Sequence, residues 1–337
     1  YFNFKNHSEK ILIKSKLNDI SKPVKTELET FQKIFKSSLK SSNNLVDLVT
    51  NYIIKQKGKK VRPVLVLLSA KVCGDINDRS YRGATLVELL HTATLVHDDV
   101  VDSADKRRGF PSINAIWKNK IAVLMGDYLL AKGLMISVEG EDFDFLKKIT
   151  NTVKRMSEGE LLQIQKTRKL DIDEETYFKI ISDKTASLIE TCCEIGSMSS
   201  SDNPEHHQAL KDFGNYLGLA FQIKDDILDY EGTAKLFGKP IGGDIKEKKI
   251  TLPLIYALNK VTPVEANQVR KLVKNNSKKD SVKEVIEFVK KNNGIEYSQK
   301  VAFDLGEKAK NSLAIFQDSQ AKQSLEALVD FVLERNN

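Results

Sequence analysis

Glycine and proline are scarce in this sequence, which has 17 glycines and 7 prolines among 337 residues. These residues punctuate short strands and tight hairpins, and long stretches of the chain contain neither of them. Strand-like alternation is also nearly absent, whereas apolar side chains recur at helical spacing, as in the series Leu45, Leu48, Val49, Tyr52 and Ile53. The sequence therefore predicts an all-α protein.

Cysteine and long apolar runs are also rare. The three cysteines include the adjacent pair Cys192 and Cys193, so neither a disulfide framework nor a CxxC metal site is expected, and a reducing, cytoplasmic setting fits. The richest apolar stretch, residues 122–138, is interrupted by Asp127 and Lys132. The sequence therefore predicts no transmembrane segment, and its first residues show no signal-peptide pattern.

A linker rich in serine, glycine and proline is missing too, although 337 residues exceed the usual size of one core. Short breaks predict ten or more helices joined by short loops, at residues 41–44, 74–78, 108–112, 140–144, 170–173, 199–204, 238–243, 262–263 and 292–294. We expect one large all-α domain over residues 1–337. Its motif-bearing part would span about 45–260, followed by C-terminal helices over 264–337.

The net charge of +7 favours anionic partners, which include phosphates, nucleic acid and anionic lipid. The basic residues are spread along the chain rather than gathered on one helix with base-stacking aromatic residues. A nucleic-acid-binding protein is therefore the weaker hypothesis, and no nucleic-acid partner is expected. A shift in the electrophoretic mobility of nucleic acid at physiological salt would reveal a nucleic-acid-binding protein.

Two similar segments carry acidic motifs, LLHTATLVHDDVVD at residues 89–102 and YLGLAFQIKDDILD at 216–229. Each predicts an apolar helix that ends in Asp-Asp-x-x-Asp. A helix places the first and third aspartates of such a motif on one face, because they are four residues apart. The two clusters comprise Asp98, Asp99 and Asp102, and Asp225, Asp226 and Asp229.

These clusters need a compensating cation, because like charges four residues apart repel each other. Hard oxygen ligands favour Mg²⁺ or Ca²⁺ over zinc or copper. Since Mg²⁺ takes one or two protein carboxylates together with phosphate oxygens, two facing carboxylate walls could hold a diphosphate through bridging metals. A single motif is more simply a solvated helix end, but two copies followed by basic residues favour the metal hypothesis.

Basic clusters accompany the aspartates. Arg107 and Arg108 follow shortly after the first motif, and arginine can bind phosphate through two parallel hydrogen bonds. His91 precedes Asp98 by two turns on the same helix face, although a lone histidine is more often a core residue. The other clusters are GKKVRP at 58–63, KT at 184–185 and GKPIGGDIKEKKITLP at 238–253.

Taken in order, GKKVRP, HTATLVHDDVVD, RRGFP, GDYLL, KTASL, FQIKDDILD and GKPIGGD with KITLP resemble the trans-isoprenyl (polyprenyl) diphosphate synthase family, long-chain type. The resemblance implies the all-α isoprenoid synthase fold, with a central cavity between the two aspartate-bearing helices. It also implies a Mg²⁺-dependent prenyltransferase that joins isopentenyl diphosphate to an allylic diphosphate such as farnesyl or geranyl diphosphate. Departures from the family pattern at Lys57, Ser112 and Lys248 remove no charged ligand.

The resemblance implies a role for each matching residue. Three Mg²⁺ ions per active site would be bound by Asp98, Asp102 and Asp225, with Asp99, Asp226 and Asp229 in support. The allylic diphosphate would be held by Arg107, Lys184 and Lys249, and Lys239 would also bind substrate. Isopentenyl diphosphate would be held by Lys59, Arg62, His91 and Arg108. The residues implied to be catalytic are Lys184, Thr185, Gln222 and Lys249, with Thr185 and Gln222 near the reacting carbons.

Product length is implied by the small residues Ala93 and Thr94, which precede the first motif by about one turn. In the family, aromatic residues here close the product tunnel, whereas small residues leave it open. One helical turn advances about 5.4 Å, close to the length of one extended isoprene unit. Because small residues at these two positions leave the tunnel open, a hexa- to decaprenyl product is expected. Candidates for the tunnel floor are Met125, Leu134 and Met135, each of which is equally a plain core residue.

A homodimer is also implied, with possible peripheral membrane contact for product release. The alternatives are a farnesyl or geranylgeranyl diphosphate synthase, a terpene cyclase, and a non-catalytic subunit of a heteromeric synthase. Two motifs plus a second diphosphate site favour condensation over cyclisation. A silent subunit would be expected to lose aspartates, and this chain keeps all of them.

Overall fold

A computed structural model describes residues 16–56, 60–107, 109–231, 242–275 and 279–334. Within these ranges the chain is helical apart from short connections and one antiparallel pair of two-residue strands, β1 (Lys106–Arg107) and β2 (Phe110–Pro111). The all-α prediction is confirmed. The assignment of residues 1–337 to a single domain stays a prediction.

The first half of the chain contains the helix that bears the first aspartate motif. Residues 16–21 are helical and lead into a 3₁₀ turn, Lys22–Val24. The helices that follow are α1 (Lys25–Ser38), α2 (Asn44–Lys55), α3 (Val61–Cys73), α4 (Asp78–Val101), α5 (Ile113–Glu139) and α6 (Phe143–Lys169). Helix α4 bears the first motif, and α5 has a break at Lys118, where φ is 70°.

The second half contains a short π-helical turn between two α-helices. The elements are α7 (Glu174–Ile181), the π turn Ser182–Ala186, α8 (Ser187–Ser200), α9 (Pro204–Glu231), α10 (Gly243–Lys246) and α11 (Leu252–Asn259). The last helices are α12 (Pro263–Lys274), α13 (Lys279–Lys291), α14 (Gly294–Ser312) and α15 (Gln320–Leu333). Helix α9 bears the second motif.

Both motif helices are buried on more than one side. Helix α4 begins with a capping box, in which Asn77 accepts from two backbone N–H groups and Ser80 bonds back to the Asn77 N–H. Its Leu86 and Leu90 belong to a core shared with α3, α8 and α15, whereas Leu89 packs with α5. Helix α9 lies between that first core and a second one formed with α11 to α14. Burial on several sides fixes the position of each helix in the fold and thus the position of its aspartates.

The three cysteines are free thiols. Cys192 and Cys193 are fully buried in the first core, and burial raises the pKa of Cys192 to about 12. Burial likewise raises the pKa of Cys73 to about 12. None of the three therefore has the thiolate character of a reactive or metal-binding cysteine.

Helix α5 is, within the described residues, long and apolar enough to cross a membrane, judged by length and composition alone. Its Ala122, Met125 and Leu129 are buried against α4, as in a core helix. The opposite side leaves Leu124 and Met135 about half exposed, at 55% and 50%. This helix thus has one packed face and one apolar face toward solvent.

Candidate active site

The first aspartate cluster has one buried carboxylate and two accessible ones. Asp99 is 2% exposed, and its Oδ1 accepts a hydrogen bond of 2.6 Å from Arg107 Nε in the short β-hairpin. Burial raises the pKa of Asp99, and Arg107 opposes that shift. Asp98 and Asp102 are exposed. Partial desolvation and the Asp102 carboxylate raise the pKa of Asp98, as expected for two acids that share a helix face.

The second cluster also has a buried inner carboxylate, but only one of its outer carboxylates is exposed. Asp226 is 4% exposed, and its carboxylate accepts from the Tyr177 hydroxyl at 2.6 Å and the Gln222 amide at 2.8 Å. Burial and the nearby Asp244 raise the pKa of Asp226 well above its usual range. Asp229 accepts from the backbone N–H groups of residues 243 and 244, each at 2.9 Å. Asp225 is exposed, like the outer pair of the first cluster.

Lys184, in the π turn, lies close to residues of both aspartate clusters. Its ammonium donates to Gln163 Oε1 at 2.6 Å and forms an ion pair with Glu160. Asp98 interacts electrostatically with both Glu160 and Lys184, and Lys249 interacts with Glu160 from the side of the second motif. The structure therefore brings both clusters to the same region.

A hydrogen-bonded chain continues from the π turn to the second motif. Thr185 Oγ1 donates to Gln222 Oε1 at 2.9 Å, and the amide of Gln222 reaches Asp226. A small cavity of about 80 Å³ is lined here by Lys184, Thr185, Gln222, Asp226, Asp244 and Lys249, among others. Four residues predicted from sequence motifs, Lys184, Thr185, Gln222 and Lys249, thus share one cavity wall with a buried aspartate.

A second, larger cavity of about 830 Å³ opens beside α4. His91, Asp99, Arg107 and Lys60 line it, together with side chains of α1 and α2. His91 is 9% exposed. Arg62 is half-buried at the start of α3. The predicted ligands Lys59, Arg108 and Lys239 lie outside the described residues.

Several residues at the site escaped the sequence analysis. Glu160 and Gln163 contact Lys184, but their segment has the pattern of an ordinary amphipathic helix. Tyr177 looks like any core aromatic residue until its partner Asp226 is known. Asp244 lies within the motif at residues 238–253, but its proximity to Asp229 depends on the folded structure. Burial and Asp229 raise the pKa of Asp244 to about 6, while Lys249 opposes the shift.

The carboxylates suit cations that are shared with a ligand. Among the described residues, no three His, Cys, Asp or Glu side chains lie close enough to hold a metal ion by themselves. The accessible carboxylates of Asp98, Asp102 and Asp225 could each supply a hard oxygen ligand, and Mg²⁺ commonly combines one or two carboxylates with phosphate oxygens. The donor set therefore fits metal ions whose remaining ligands come from a diphosphate.

Replacing Tyr177 by phenylalanine should destabilise the protein more than the same change at Tyr230. Both tyrosines are buried, but Tyr177 donates to a buried carboxylate, whereas Tyr230 is paired with the Thr251 hydroxyl at 3.2 Å. An unsatisfied buried acceptor costs about 1–3 kcal/mol, and a neutral hydrogen bond is worth about 0.5–1.5 kcal/mol. Urea unfolding measures the free energy of unfolding of both variants. An equal or larger loss of this free energy in Tyr230→Phe would contradict the prediction.

A sequence profile described as polyprenyl synthetase matches residues 43–289. The chain belongs to the polyprenyl synthetase family. It is 36% identical, over 94% of its length and 97% of the relative, to an all-trans-nonaprenyl-diphosphate synthase (geranyl-diphosphate specific) of Rhodobacter capsulatus.

Solved structures of polyprenyl synthetases superpose closely. A decaprenyl diphosphate synthase from Rhodobacter capsulatus matches with a TM-score of 0.89 and 31% identity, covering 95% of this chain and 99% of that one. A polyprenyl synthase from Caulobacter crescentus, complexed with calcium and isoprenyl diphosphate, matches with a TM-score of 0.86 and 31% identity, covering 95% and 98%. The resemblance seen in the sequence motifs is confirmed, and the chain is a prenyltransferase enzyme.

Proposed function

We propose that this polyprenyl synthetase is a long-chain all-trans polyprenyl diphosphate synthase. It would lengthen an allylic diphosphate by repeated condensation with isopentenyl diphosphate, to a product in the hexa- to decaprenyl range. The observation that carries the proposal is the meeting of two aspartate clusters around Lys184, each with a buried inner carboxylate and at least one exposed outer carboxylate.

The outer aspartates would hold the metal ions. Asp98 and Asp102 from α4 and Asp225 from α9 would bind three Mg²⁺ ions, which when bound would neutralise the charge of the departing diphosphate. Asp99, Asp226 and Asp229 would act in support, because protein donors already occupy Asp99, Asp226 and Asp229. The relative from Caulobacter crescentus, solved with calcium and isoprenyl diphosphate, supports a divalent cation at such a site.

Cationic side chains would hold the allylic diphosphate between the clusters. Burial alone would lower the pKa of Lys249, but Glu247 and Asp244 raise it above its ordinary value, so the ammonium stays charged. Lys184 is similarly paired with Glu160, and Arg107 with Asp99. These donors, with Lys239, would stabilise negative charge where it develops as the allylic C–O bond breaks. Thr185 and Gln222 would lie near the reacting carbons.

The cavity of about 830 Å³ would receive isopentenyl diphosphate. Asp99 and Arg107 line this cavity, and Arg107 also interacts electrostatically with Asp98, so the cavity would lie next to the allylic site. His91 lines this cavity, and Lys59, Arg62 and Arg108 would complete the set of donors to the diphosphate. The double bond of isopentenyl diphosphate would attack the allylic cation, and the departing diphosphate would accept the proton that is then lost.

The apolar outer face of α5 supports an assembly of two copies. Leu124 and Met135 are half exposed there, and Leu161 of α6 is 66% exposed. Exposed apolar side chains of this kind suit a homodimer interface, since monomers rarely leave large apolar patches in water. A cytoplasmic location would fit the three free thiols. Release of a long apolar product would add transient contact with a membrane surface.

Incubation with Mg²⁺, ¹⁴C-labelled isopentenyl diphosphate and farnesyl diphosphate tests the proposal directly. We expect labelled prenols longer than geranylgeraniol after dephosphorylation and reversed-phase chromatography, and no product when EDTA is added. Products that stop at farnesyl or geranylgeranyl length would support the short-chain alternative. Label-free hydrocarbon would indicate a cyclase, and no turnover at all would indicate a silent subunit; each of these results contradicts the proposal.

A further inference from the structure

The π turn that carries Lys184 and Thr185 is closely enclosed by two neighbouring helices. A Cβ on Gly159 of α6 would come within 2.9 Å of the backbone nitrogen of Lys184. A Cβ on Gly218 of α9 would come within 2.6 Å of the Ala186 Cα. Turns of this kind are rare in helices and are frequently found at functional sites. The backbone at Lys184 is thus set by direct helix contact on two sides.

Arg155 adds a polar clamp one turn before Gly159. Its guanidinium donates to Asp183 Oδ1 at 2.9 Å and to Ser182 Oγ at 3.3 Å, so it holds the two residues that precede Lys184. The same guanidinium donates to both oxygens of Glu190 on α8, at 3.3 and 3.2 Å. One side chain of α6 therefore ties the start of the π turn to the helix that follows it.

The clamp needs the particular shape of arginine. Glu190 is 7% exposed, and burial raises its pKa while Arg155 opposes the shift. A planar guanidinium presents several donors at fixed angles, which three partners can share. Lysine would keep the charge, but its single ammonium would not hold the same geometry toward Asp183, Ser182 and Glu190 together.

We propose that Arg155 is a positioning residue for the condensation reaction. Its hydrogen bonds to Ser182 and Asp183 orient the side chains of Lys184 and Thr185 toward the diphosphate. This inference rests on the proposed function, since Lys184 matters only if a diphosphate binds there. Arg155 lies outside every motif that the sequence analysis used. Small errors in the aim of such groups reduce turnover, because supporting contacts fix the orientation of the groups that touch the ligand.

The chain offers a matched control in Lys148. Lys148 lies two turns before Arg155 on α6, and its ammonium contacts Glu194, one turn beyond Glu190 on α8, at 2.5 Å. Glu194 is 6% exposed, so the two glutamates are equally buried. Lys148→Met and Arg155→Met each remove a cation from a buried glutamate between the same two helices. Of the two cations, Arg155 is the one that contacts Ser182 and Asp183.

We expect Arg155→Met to lower kcat about tenfold, as losses of supporting contacts commonly do, while KM for isopentenyl diphosphate stays unchanged. Titration calorimetry with inorganic pyrophosphate and Mg²⁺ should show weaker binding by a similar factor. Lys148→Met should lower the thermal midpoint comparably but leave kcat and pyrophosphate affinity near those of the unmodified protein. Arg155→Lys should recover part of the lost thermal stability without recovering kcat.

Equal effects of Arg155→Met and Lys148→Met on kcat and pyrophosphate affinity would overturn the inference. If Arg155→Met does not fold, Asp183→Asn decides, because it weakens the link to the π turn and leaves the Arg155–Glu190 pair in place. Unchanged kcat and pyrophosphate affinity in Asp183→Asn would then count against the positioning role of Arg155. Failure of the proposed function is distinguishable: the unmodified protein would make no long product, and the pyrophosphate titrations would still test the clamp.

Discussion

Asp98→Asn is expected to lower turnover of isopentenyl diphosphate by a factor of about 10² or more. The accessible carboxylate of Asp98 is proposed to bind Mg²⁺, and asparagine keeps its shape but removes its charge. Losing one group that stabilises developing charge commonly costs about 10²–10³ in rate. Steady-state assays across a range of Mg²⁺ concentrations should show both a lower kcat and a higher Mg²⁺ requirement.

The fold should survive this change. Desolvation and the Asp102 carboxylate both raise the pKa of Asp98, so the charged form of Asp98 is disfavoured in the fold, and asparagine removes that charge. Thermal unfolding of Asp98→Asn should therefore show no loss of stability. Asp78→Asn is the matched control, because Asp78 is exposed on the same helix about 30 Å away, given a rise of about 1.5 Å per residue. Turnover of Asp98→Asn within about twofold of the control would count against the metal assignment.

Thr94→Phe is expected to shorten the product by several isoprene units, with geranylgeranyl or shorter prenols as the main product. Thr94 lies one turn before Asp98 on the same face of α4 and is half-buried. Each turn advances about 5.4 Å, so a phenylalanine there would block a tail that runs along this face. Chromatography of dephosphorylated products measures the effect, and an unchanged product distribution would refute the geometry.

Thr94 is a better test of the tunnel than the neighbouring Ala93. Ala93 is 2% exposed and packs with Val96, Met125 and Leu129, so a phenylalanine at this position would overpack the core by about 1–3 kcal/mol. Ala93→Phe should also shorten the product, but with a lower thermal midpoint.

Thr92→Phe is the control for Thr94→Phe. Two residues rotate about 200° around a helix, and Thr92 lines the cavity of about 830 Å³ instead. This variant should raise KM for isopentenyl diphosphate without shortening the product.

Most helix boundaries could be predicted from the sequence because the chain marks them with local residues. Glycine, proline or asparagine occurs at the predicted breaks near 74–78, 140–144, 199–204 and 292–294, and helices end or begin there. The π turn at 182–186 was not predicted, because its residues continue the helical pattern. It depends on the contacts of Gly159, Gly218 and Arg155, which are distant in sequence.

In the candidate site, too, local features could be predicted from the sequence, whereas contacts between distant residues could not. The spacing of each motif predicted that Asp98 and Asp102 share a face, since helix geometry is local. The contacts of Lys184 with Glu160 and Gln163 could not be predicted, because they join α6 to a turn that follows α7. The positions of Lys59, Arg108 and Lys239 lie outside the described residues, so their assigned roles stay predictions.

The sequence by itself determined that this protein is helical and that it carries two acidic motifs with nearby basic residues, because these properties depend on residue type and short spacing. Only the tertiary structure decided which aspartates face inward. Asp99 is held by an arginine 8 positions away and Asp226 by a tyrosine 49 positions away, and Asp98, Asp102 and Asp225 are left accessible. The physical reason is that a buried carboxylate must find donors, and helix packing determines which donors are within reach.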